Sequence, residues 1–179
     1  MAYKKQRNLK DFLVRAKLNT NKTRPARHLS GMNTCGKSCH MCPYVIKTKH
    51  IKGDNFNWKV TKQVTCETNN VIYMIQCNKE QCRQQYIGET ERKMKVRFGE
   101  HKGYVNSNNK FKTTGTHFNL PGHSISNMTV IILEKVKVNE ENYRKEREAY
   151  LIRKFKTYLN GLNKKPLYKV IIFCLLIAT

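Results

Sequence analysis

The chain of 179 residues and 21.1 kDa is long enough for one buried core and a small additional module. It carries 35 Lys and Arg residues against 12 Asp and Glu residues, so its formal net charge is +23 and its pI is about 9.9. This charge favours a polyanion such as nucleic acid as the partner. The N-terminal charges are not followed by an apolar core, which excludes a secretory signal and predicts an intracellular protein, nuclear or cytoplasmic.

Residues 1–30 predict a basic linker or arm rather than a domain. Leu9, Phe12, Leu13 and Leu18 have the spacing of a short amphipathic helix. We expect this helix to serve as a docking segment.

Residues 31–68 predict a small zinc-binding module. Intracellular cysteines bind metals more often than they form disulfides, and Cys39 and Cys42 have the short spacing of zinc ligands. The candidate ligands of this first site are Cys35, Cys39, Cys42 and Cys66. His40 competes for the fourth position, so the fourth ligand stays open.

Basic and aromatic residues also occur in this module. Five lysines between its third and fourth cysteines could follow a phosphate backbone: Lys47, Lys49, Lys52, Lys59 and Lys62. Phe56 and Trp58 lie among them and either stack on bases or form the core of the module.

Residues 69–164 predict one α/β domain. Its expected elements are strands near 71–76, 85–88 and 128–134, helices near 91–104 and 140–157, and a polar loop around Asn106 to Asn109. This content indicates a small three-stranded antiparallel sheet flanked by helices.

Two short tyrosine-containing strings lie in the first two strands. Residues 71–76 alternate as a strand does, with Tyr73 on one face, and Gly88 ends the next strand after Tyr86. Either string alone is common in ordinary strands. Their meaning therefore depends on residues farther along the chain.

A second set of metal-ligand residues is interleaved with these strings. Cys77 and Cys82 lie between the two strings, and His117 and His123 follow later, which together form a Cys2His2 set. The two sets use six of the seven cysteines, and this makes both zinc sites a stronger prediction than either alone.

The first predicted helix places polar groups on its apolar stripe. Thr90 is expected to be its N-cap and Glu91 to lie in its first turn. The residues at i, i+3, i+4 and i+7 of the stripe are Met94, Arg97, Phe98 and His101. By itself, Arg97 is typical of a salt-bridge partner at the edge of a core.

The second predicted helix carries an acidic residue on its inward stripe. Glu148 shares that stripe with Leu151, Ile152 and Phe155. A buried carboxylate needs a hydrogen bond, an ion pair or a metal. Pairing with Arg144 and metal binding both stay open at this point.

Residues 165–179 predict an apolar C-terminal tail. The run of nine residues from Val170 to Ala178 is shorter than the roughly 20 residues that span a bilayer, so no membrane association is expected. The run is either an extra strand or translation beyond the natural end, and Cys174 within it is expected to be an inert buried thiol.

The order of the tyrosine strings and of the later polar residues resembles the GIY-YIG endonuclease family. The residues that carry this resemblance are Tyr73, Tyr86, Arg97, His101, Glu148 and Asn163. Asn163, in the string Gly161-Leu162-Asn163, matches the asparagine that closes the family's active site. Val71 replaces the glycine of the first motif, which is a backbone feature rather than a chemical group.

The resemblance implies a DNA endonuclease and a role for each side chain. Glu148 would hold one Mg²⁺ or Mn²⁺ ion, and Arg97 would present its planar guanidinium to the scissile phosphate. Tyr73 would be the general base or would pass the proton on. Tyr86 and His101 would help to position the water and the phosphate.

The resemblance is closest to the endonuclease domain of Penelope-like retroelements and covers roughly residues 1–164. It is carried by the Cys77 to Cys82 string before Tyr-Ile-Gly-Glu-Thr, by the words His-Phe-Asn and Pro-Gly-His, by Arg147-Glu148, and by the segment from Asn8 to Val14. It implies a reverse transcriptase or retroelement RNA as further partner. The sequence has no polymerase signature, which predicts a detached nuclease or a fragment.

Two other function classes stay open. One is a catalytically inactive, zinc-stabilised DNA-binding remnant, which the intact set of six polar residues disfavours. The other is a cellular structure-specific repair nuclease of the same fold, which the interleaved Cys and His words disfavour.

Overall fold

The computed structural model describes residues 30–36, 38–53, 55–137 and 141–164. The arm helix predicted around residues 9–18 lies outside these residues. The apolar tail, 165–179, and its Cys174 lie outside them as well.

Short strands and one 3-10 turn form the N-terminal module. They are β1 (Gly31–Met32), the turn Cys42–Tyr44, β2 (His50–Lys52), β3 (Asn57–Lys59) and β4 (Gln63–Val64). β1 pairs in parallel with β4, and β2 pairs antiparallel with β3. Strands of two or three residues bury little apolar surface by themselves, so this module depends on other contacts for its stability.

A three-stranded antiparallel sheet forms the centre of the protein. Its strands are β5 (Val71–Cys77), β6 (Gln85–Thr90) and β7 (Met128–Lys135), in the order β6-β5-β7. β5 is the central strand and is buried except at Gln76. The register places Tyr73 of β5 opposite Gly88 of β6. The predicted sheet is thereby confirmed.

Within the described ranges, three helices accompany the sheet and confirm the mixed α/β class. They are α1 (Met94–Asn106), α2 (Thr113–His117) and α3 (Glu141–Lys154). α1 buries Met94, Phe98 and His101, as its predicted stripe requires, and α3 buries Leu151 and Ile152.

The predicted start of the first helix is wrong. Thr90 is the last residue of β6, and its hydroxyl accepts the backbone N–H of Arg92 at 3.1 Å. The N-cap of α1 is Lys93, which forms no side-chain cap. Pairing of β6 with β5 extends through Thr90, and this interaction outweighs the local capping preference.

Phe56 and Trp58 of the N-terminal module pack against the core. Trp58 Nε1 donates a hydrogen bond to the carbonyl of Leu133 in β7 at 3.0 Å. Phe56 meets Phe155 edge to face, with 4.9 Å between ring centroids. Of the two alternatives left by the sequence, packing against the protein core rather than stacking on bases therefore applies to both rings.

No helix in the described part of the chain has the length and apolar character needed to cross a membrane.

Candidate active site and metal centres

A buried hydrogen-bond network links strand β5 to helices α1 and α2. The hydroxyl of Tyr73 accepts a hydrogen bond from Arg97 Nε at 2.9 Å and lies 2.8 Å from His101 Nε2. His101 Nδ1 lies 3.0 Å from the hydroxyl of Thr114. Tyr73, His101 and Thr114 are all buried, so each of their polar atoms depends on these partners.

The network fits one tautomer of His101. A buried phenol must donate its proton, and the oxygen of Tyr73 already accepts from Arg97, so we assign His101 Nε2 as the acceptor. His101 Nδ1–H then donates to Thr114. Burial and the positive charge of Arg97 lower the pKa of His101 to about 3, so the ring is neutral at physiological pH.

Tyr86 lies beside Tyr73 on the neighbouring strand. The two rings are 6.4 Å apart between centroids, and the hydroxyl of Tyr86 interacts with both Tyr73 and Arg97. Burial raises the pKa of both phenols, so both are protonated in the absence of another positive charge. Tyr86 is partly exposed and Tyr73 is fully buried, so Tyr86 is the more accessible of the two tyrosines.

Gly88 makes this pairing of rings possible. A Cβ atom at Gly88 would lie 2.6 Å from the hydroxyl of Tyr73 and 2.9 Å from Tyr86 Cε1. Any side chain there would displace both phenols. Val71, where the first motif lacks its glycine, is an ordinary buried strand residue paired with Thr90.

Glu148 approaches the same site from α3. Its carboxylate acts electrostatically on Tyr73 and Tyr86, and it accepts a hydrogen bond from the backbone N–H of Glu89. Burial, followed by the negative charge of Glu89, raises the pKa of Glu148 to about 7. Two carboxylates at one partly buried position favour a cation between or beside them.

The pairing of Glu148 with Arg144 is not formed among the described residues. Arg144 Nε instead donates to the carboxylate of Glu89, and Arg144 Nη1 donates to Asn70 Oδ1 at 3.3 Å. Glu148 therefore lacks the ion pair that would give it a purely structural role. Together with the donor set, this fits an oxygen ligand for Mg²⁺ or Mn²⁺.

Asn163 is placed at the same edge of the sheet but contacts backbone only. Its Oδ1 accepts the N–H of Ile87 at 2.8 Å, and its Nδ2 donates to the carbonyl of Ile87 at 2.7 Å. Because both ends of the amide are used, Asn163 holds the segment after α3 against β6 between Tyr86 and Gly88.

The four cysteines of the first set converge. Their sulfur atoms all lie within 4.8 Å of one another, and Cys42 Sγ lies 3.6 Å from both Cys35 Sγ and Cys66 Sγ. Tetrahedral zinc with Zn–S bonds of about 2.3 Å requires sulfurs about 3.8 Å apart, so the donor set fits zinc. His40 Nε2 lies 3.1 Å from the carbonyl of Lys95, outside the group. The geometry thus favours Cys66 over His40 as the fourth member.

The four residues of the second set also converge. The ligand atoms of Cys77, Cys82, His117 and His123 lie within 4.8 Å of one another. His123 Nδ1 lies 3.3 Å from the carbonyl of Pro121, while its buried Nε2 has no hydrogen-bond partner among the described residues. A buried nitrogen without a partner, on a histidine that converges with two cysteines and a second histidine, fits a metal ligand.

Two neighbours of the site could not be recognised from the sequence. Thr114 belongs to α2, whose Thr-Thr-Gly-Thr-His sequence has no apolar period. Glu89 follows the Tyr-Ile-Gly string directly, but its meeting with Glu148 depends on tertiary packing. The sequence offered one indication of their role, because Thr114 and Glu89 each lie within a few residues of a predicted site residue.

The lowered pKa of His101 predicts a loss of stability in acid. The unfolded chain takes up a proton near the ordinary pKa of about 6.5, whereas the folded chain resists protonation until about pH 3. Stability from this group is complete above pH 6.5 and is lost as the pH falls. Between pH 7 and pH 5 we expect wild type to lose about 2 kcal/mol more unfolding free energy than His101→Gln. Urea titrations of both proteins at both pH values measure this difference, and equal losses would contradict a buried neutral imidazole.

Comparison with protein-family models matches residues 69–163, slightly more than half of the chain, to the GIY-YIG catalytic domain. Comparison with curated proteins and with solved structures finds no match. The matched segment begins just before β5 and ends at Asn163, so it contains both tyrosine strings, the three helices and Glu148.

Proposed function

Because the chain belongs to the GIY-YIG catalytic domain family, whose members are nucleases acting on DNA, we propose that it is a DNA endonuclease that nicks by phosphodiester hydrolysis in the presence of Mg²⁺ or Mn²⁺. The observation that supports this best is the convergence of Glu148, Arg97 and two phenols, which come from α3, α1 and two strands. A carboxylate, a guanidinium and phenols are the groups that cation-assisted hydrolysis of a phosphodiester requires.

Glu148 is the proposed ligand of the divalent cation. Its oxygen donors and the absence of an ion pair to Arg144 among the described residues support this role. When bound, such a cation stabilises the charge that develops on the phosphate and acidifies a water. Glu148 must be ionised to bind the cation. Because its pKa is raised to about 7, a proton competes for the carboxylate near neutral pH, and the charge of a bound cation would favour the ionised form.

Arg97 is the proposed phosphate-binding residue. Tyr73 holds its Nε, and Glu100 accepts from its Nη1 at 2.6 Å, so the guanidinium plane is fixed. Arg97 also lines a polar cavity of about 340 Å³ together with Glu89, Arg92 and Arg144. A fixed, partly exposed guanidinium beside such a cavity can bind a phosphate through the N–H groups that Tyr73 and Glu100 do not use.

Exposure separates the roles of the two phenols. Tyr73 is fully buried, and its hydroxyl is bound by Arg97 and His101. Tyr86 is partly exposed and interacts with Tyr73 and Arg97. We therefore assign Tyr86 to orienting the attacking water and Tyr73 to positioning Arg97 and His101. Asn163 and Gly88 are positioning residues, because they contact backbone and ring atoms only.

Thr114 is a further positioning residue, and its replacement tests the tautomer of His101. Thr114→Val keeps the shape but removes the acceptor for Nδ1–H, so we expect nicking to slow about 10- to 100-fold, as when the partner of a functional imidazole is removed. The pH-rate profile should also shift, because the other tautomer and the protonated ring become accessible.

Thr114→Ser is the matched control, since it restores the hydroxyl and should recover most of the rate. Thermal unfolding of both variants reports whether the fold is retained. Equal rates for the valine and serine variants would show that Thr114 only fills space.

Two structural zinc sites are part of the proposal. The first, in residues 31–68, has the ligands Cys35, Cys39, Cys42 and Cys66. The second, within the nuclease domain of residues 69–164, has the ligands Cys77, Cys82, His117 and His123. The convergence of both donor sets supports them.

We further propose that the nuclease belongs to a Penelope-like retroelement. The interleaving of the second cysteine and histidine set with the tyrosine strings supports this. The nick would then leave a 3′-hydroxyl that primes reverse transcription at the target, with a reverse transcriptase or retroelement RNA as partner. Primer extension from the nicked product by a polymerase tests for that 3′-hydroxyl.

Conversion of supercoiled plasmid to the open-circular form tests the nuclease proposal. We expect it with Mg²⁺ or Mn²⁺ and not with a chelator added just before the plasmid. Binding without cutting under all conditions would favour the inactive DNA-binding remnant. Strong preference for branched or damaged duplex over plasmid would favour a cellular repair nuclease.

A further inference from the structure

One apolar ring projects from the loop between α1 and α2. Phe111 is 94% exposed, whereas the other exposed large apolar side chains in the described part of the chain are 38–64% exposed. A phenyl ring gains nothing from such a position in the isolated protein, since it contributes almost no burial.

The loop holds this ring on a fixed backbone. The N–H of Phe111 donates to Asn109 Oδ1 at 2.9 Å, and the N–H of Asn109 donates to the carbonyl of Tyr104 at 2.9 Å. On the other side, the hydroxyl of Thr116 donates to the carbonyl of Lys110 at 3.0 Å. The ring is therefore presented before any partner binds, which lowers the entropy cost of binding.

The ring also lies close to the proposed active site. Phe111 is three residues before Thr114, whose hydroxyl contacts His101, and three residues span at most about 11 Å. The exposed lysines Lys110 and Lys112 are its neighbours in the sequence, and the Lys112 ammonium lies 5.5 Å from the centroid of the Tyr104 ring. An exposed aromatic residue with a lysine before and after it fits a nucleic acid, which offers flat bases between phosphates.

We propose that Phe111 stacks on an unpaired nucleobase of the DNA beside the cut, while Lys110 and Lys112 contact the flanking phosphates. This inference rests on the proposed function, because it takes DNA as the substrate. Stacking of a base on an aromatic side chain depends on the flat ring rather than on base identity, so the contact positions the strand without selecting its sequence.

Binding to a short mixed-sequence duplex that contains a single-stranded gap tests the proposal, with Glu148→Gln in every protein to prevent cutting. Phe111→Ala should weaken the Kd about 5- to 100-fold, the range expected for loss of one stacked base. Phe111→Leu should fail to restore affinity, because its side chain is apolar but not flat, and Phe111→Trp should retain it. Leu159→Ala is the matched control, since it truncates another exposed apolar side chain and should leave the Kd unchanged.

Fluorescence provides a second readout. The chain has a single tryptophan, Trp58, so the indole introduced by Phe111→Trp adds emission that can be measured by difference. We expect DNA to quench this added emission, as stacking on a base does.

The outcomes distinguish failure of the stacking proposal from failure of the nuclease proposal. Unchanged affinity in Phe111→Ala, or added emission that DNA leaves unquenched, overturns the stacking proposal and favours a protein partner for the ring. If Phe111→Ala weakens binding and DNA quenches the emission of Phe111→Trp, but the wild-type protein never cuts, the stacking proposal is supported and the nuclease proposal is overturned. Absence of any DNA binding by the wild-type chain overturns both.

Discussion

Glu148→Gln is expected to reduce the nicking of supercoiled plasmid by about a thousandfold or more. The substitution keeps the shape of the side chain but removes the negative charge that would hold the divalent cation. Without that cation, several kcal/mol of stabilisation of the developing phosphate charge are lost, and each 1.4 kcal/mol or so corresponds to about tenfold in rate. The rate of open-circle formation at saturating Mg²⁺ measures the effect.

Glu146→Gln is the matched control for this loss. Glu146 lies two residues earlier on α3, is exposed, and undergoes the same chemical change. It should leave the nicking rate nearly unchanged. DNA binding by Glu148→Gln should remain, because the basic surface is untouched. Nicking at the wild-type rate by Glu148→Gln would remove the assignment of the cation site.

Arg97 offers an independent check of the same site. Arg97→Lys keeps the positive charge but cannot hold Tyr73 and a phosphate with one planar group. We expect the nicking rate of Arg97→Lys to be lower than that of wild type, with a smaller loss than in Glu148→Gln.

Loss of a zinc ligand is expected to unfold part of the protein. Structural zinc contributes on the order of 10 kcal/mol to the folding of small modules, which is as much as the whole stability of many domains. Metal analysis of the purified chain should give two equivalents of zinc. Cys66→Ser should lose one equivalent and destabilise the N-terminal module, and Cys77→Ser should lose the other.

The two ligand variants should differ in their effects on cutting. Cys77 ends the central strand β5, so its loss should abolish nicking as well as one zinc equivalent. His40→Ala is the control, because His40 lies near the first cluster but bonds to the carbonyl of Lys95. It should retain both equivalents. A folded wild-type chain with less than one equivalent would contradict both zinc sites.

The sequence predicted those features that repeat with a local period. The alternation of residues 71–76 predicted strand β5, which the structure buries on both faces, and the stripe from Met94 to His101 predicted the buried face of α1. The start of α1 was misjudged because Thr90 suits an N-cap as well as a strand end, and strand pairing decided between them. Local preference of this kind amounts to about 1 kcal/mol, which tertiary contacts easily exceed.

The environment of Glu148 could not be predicted, because it depends on contacts between distant segments. The sequence identified the carboxylate as anomalous and left Arg144 as an equal partner. In the folded chain Arg144 is used by Glu89, which is 55 residues away. No periodicity signals such an exchange of partners. The choice between an ion pair and a cation site therefore needed the structure.

Helix α2 connects the second metal-ligand set to the proposed active site. Its five residues include Thr114, which orients His101, and His117, which belongs to the second metal-ligand set. A newly synthesised polypeptide that has not yet acquired its ion at that set would have no fixed α2 and hence no oriented imidazole. Under the proposed function, cutting competence would begin only after metal loading, so immature chains would leave DNA intact.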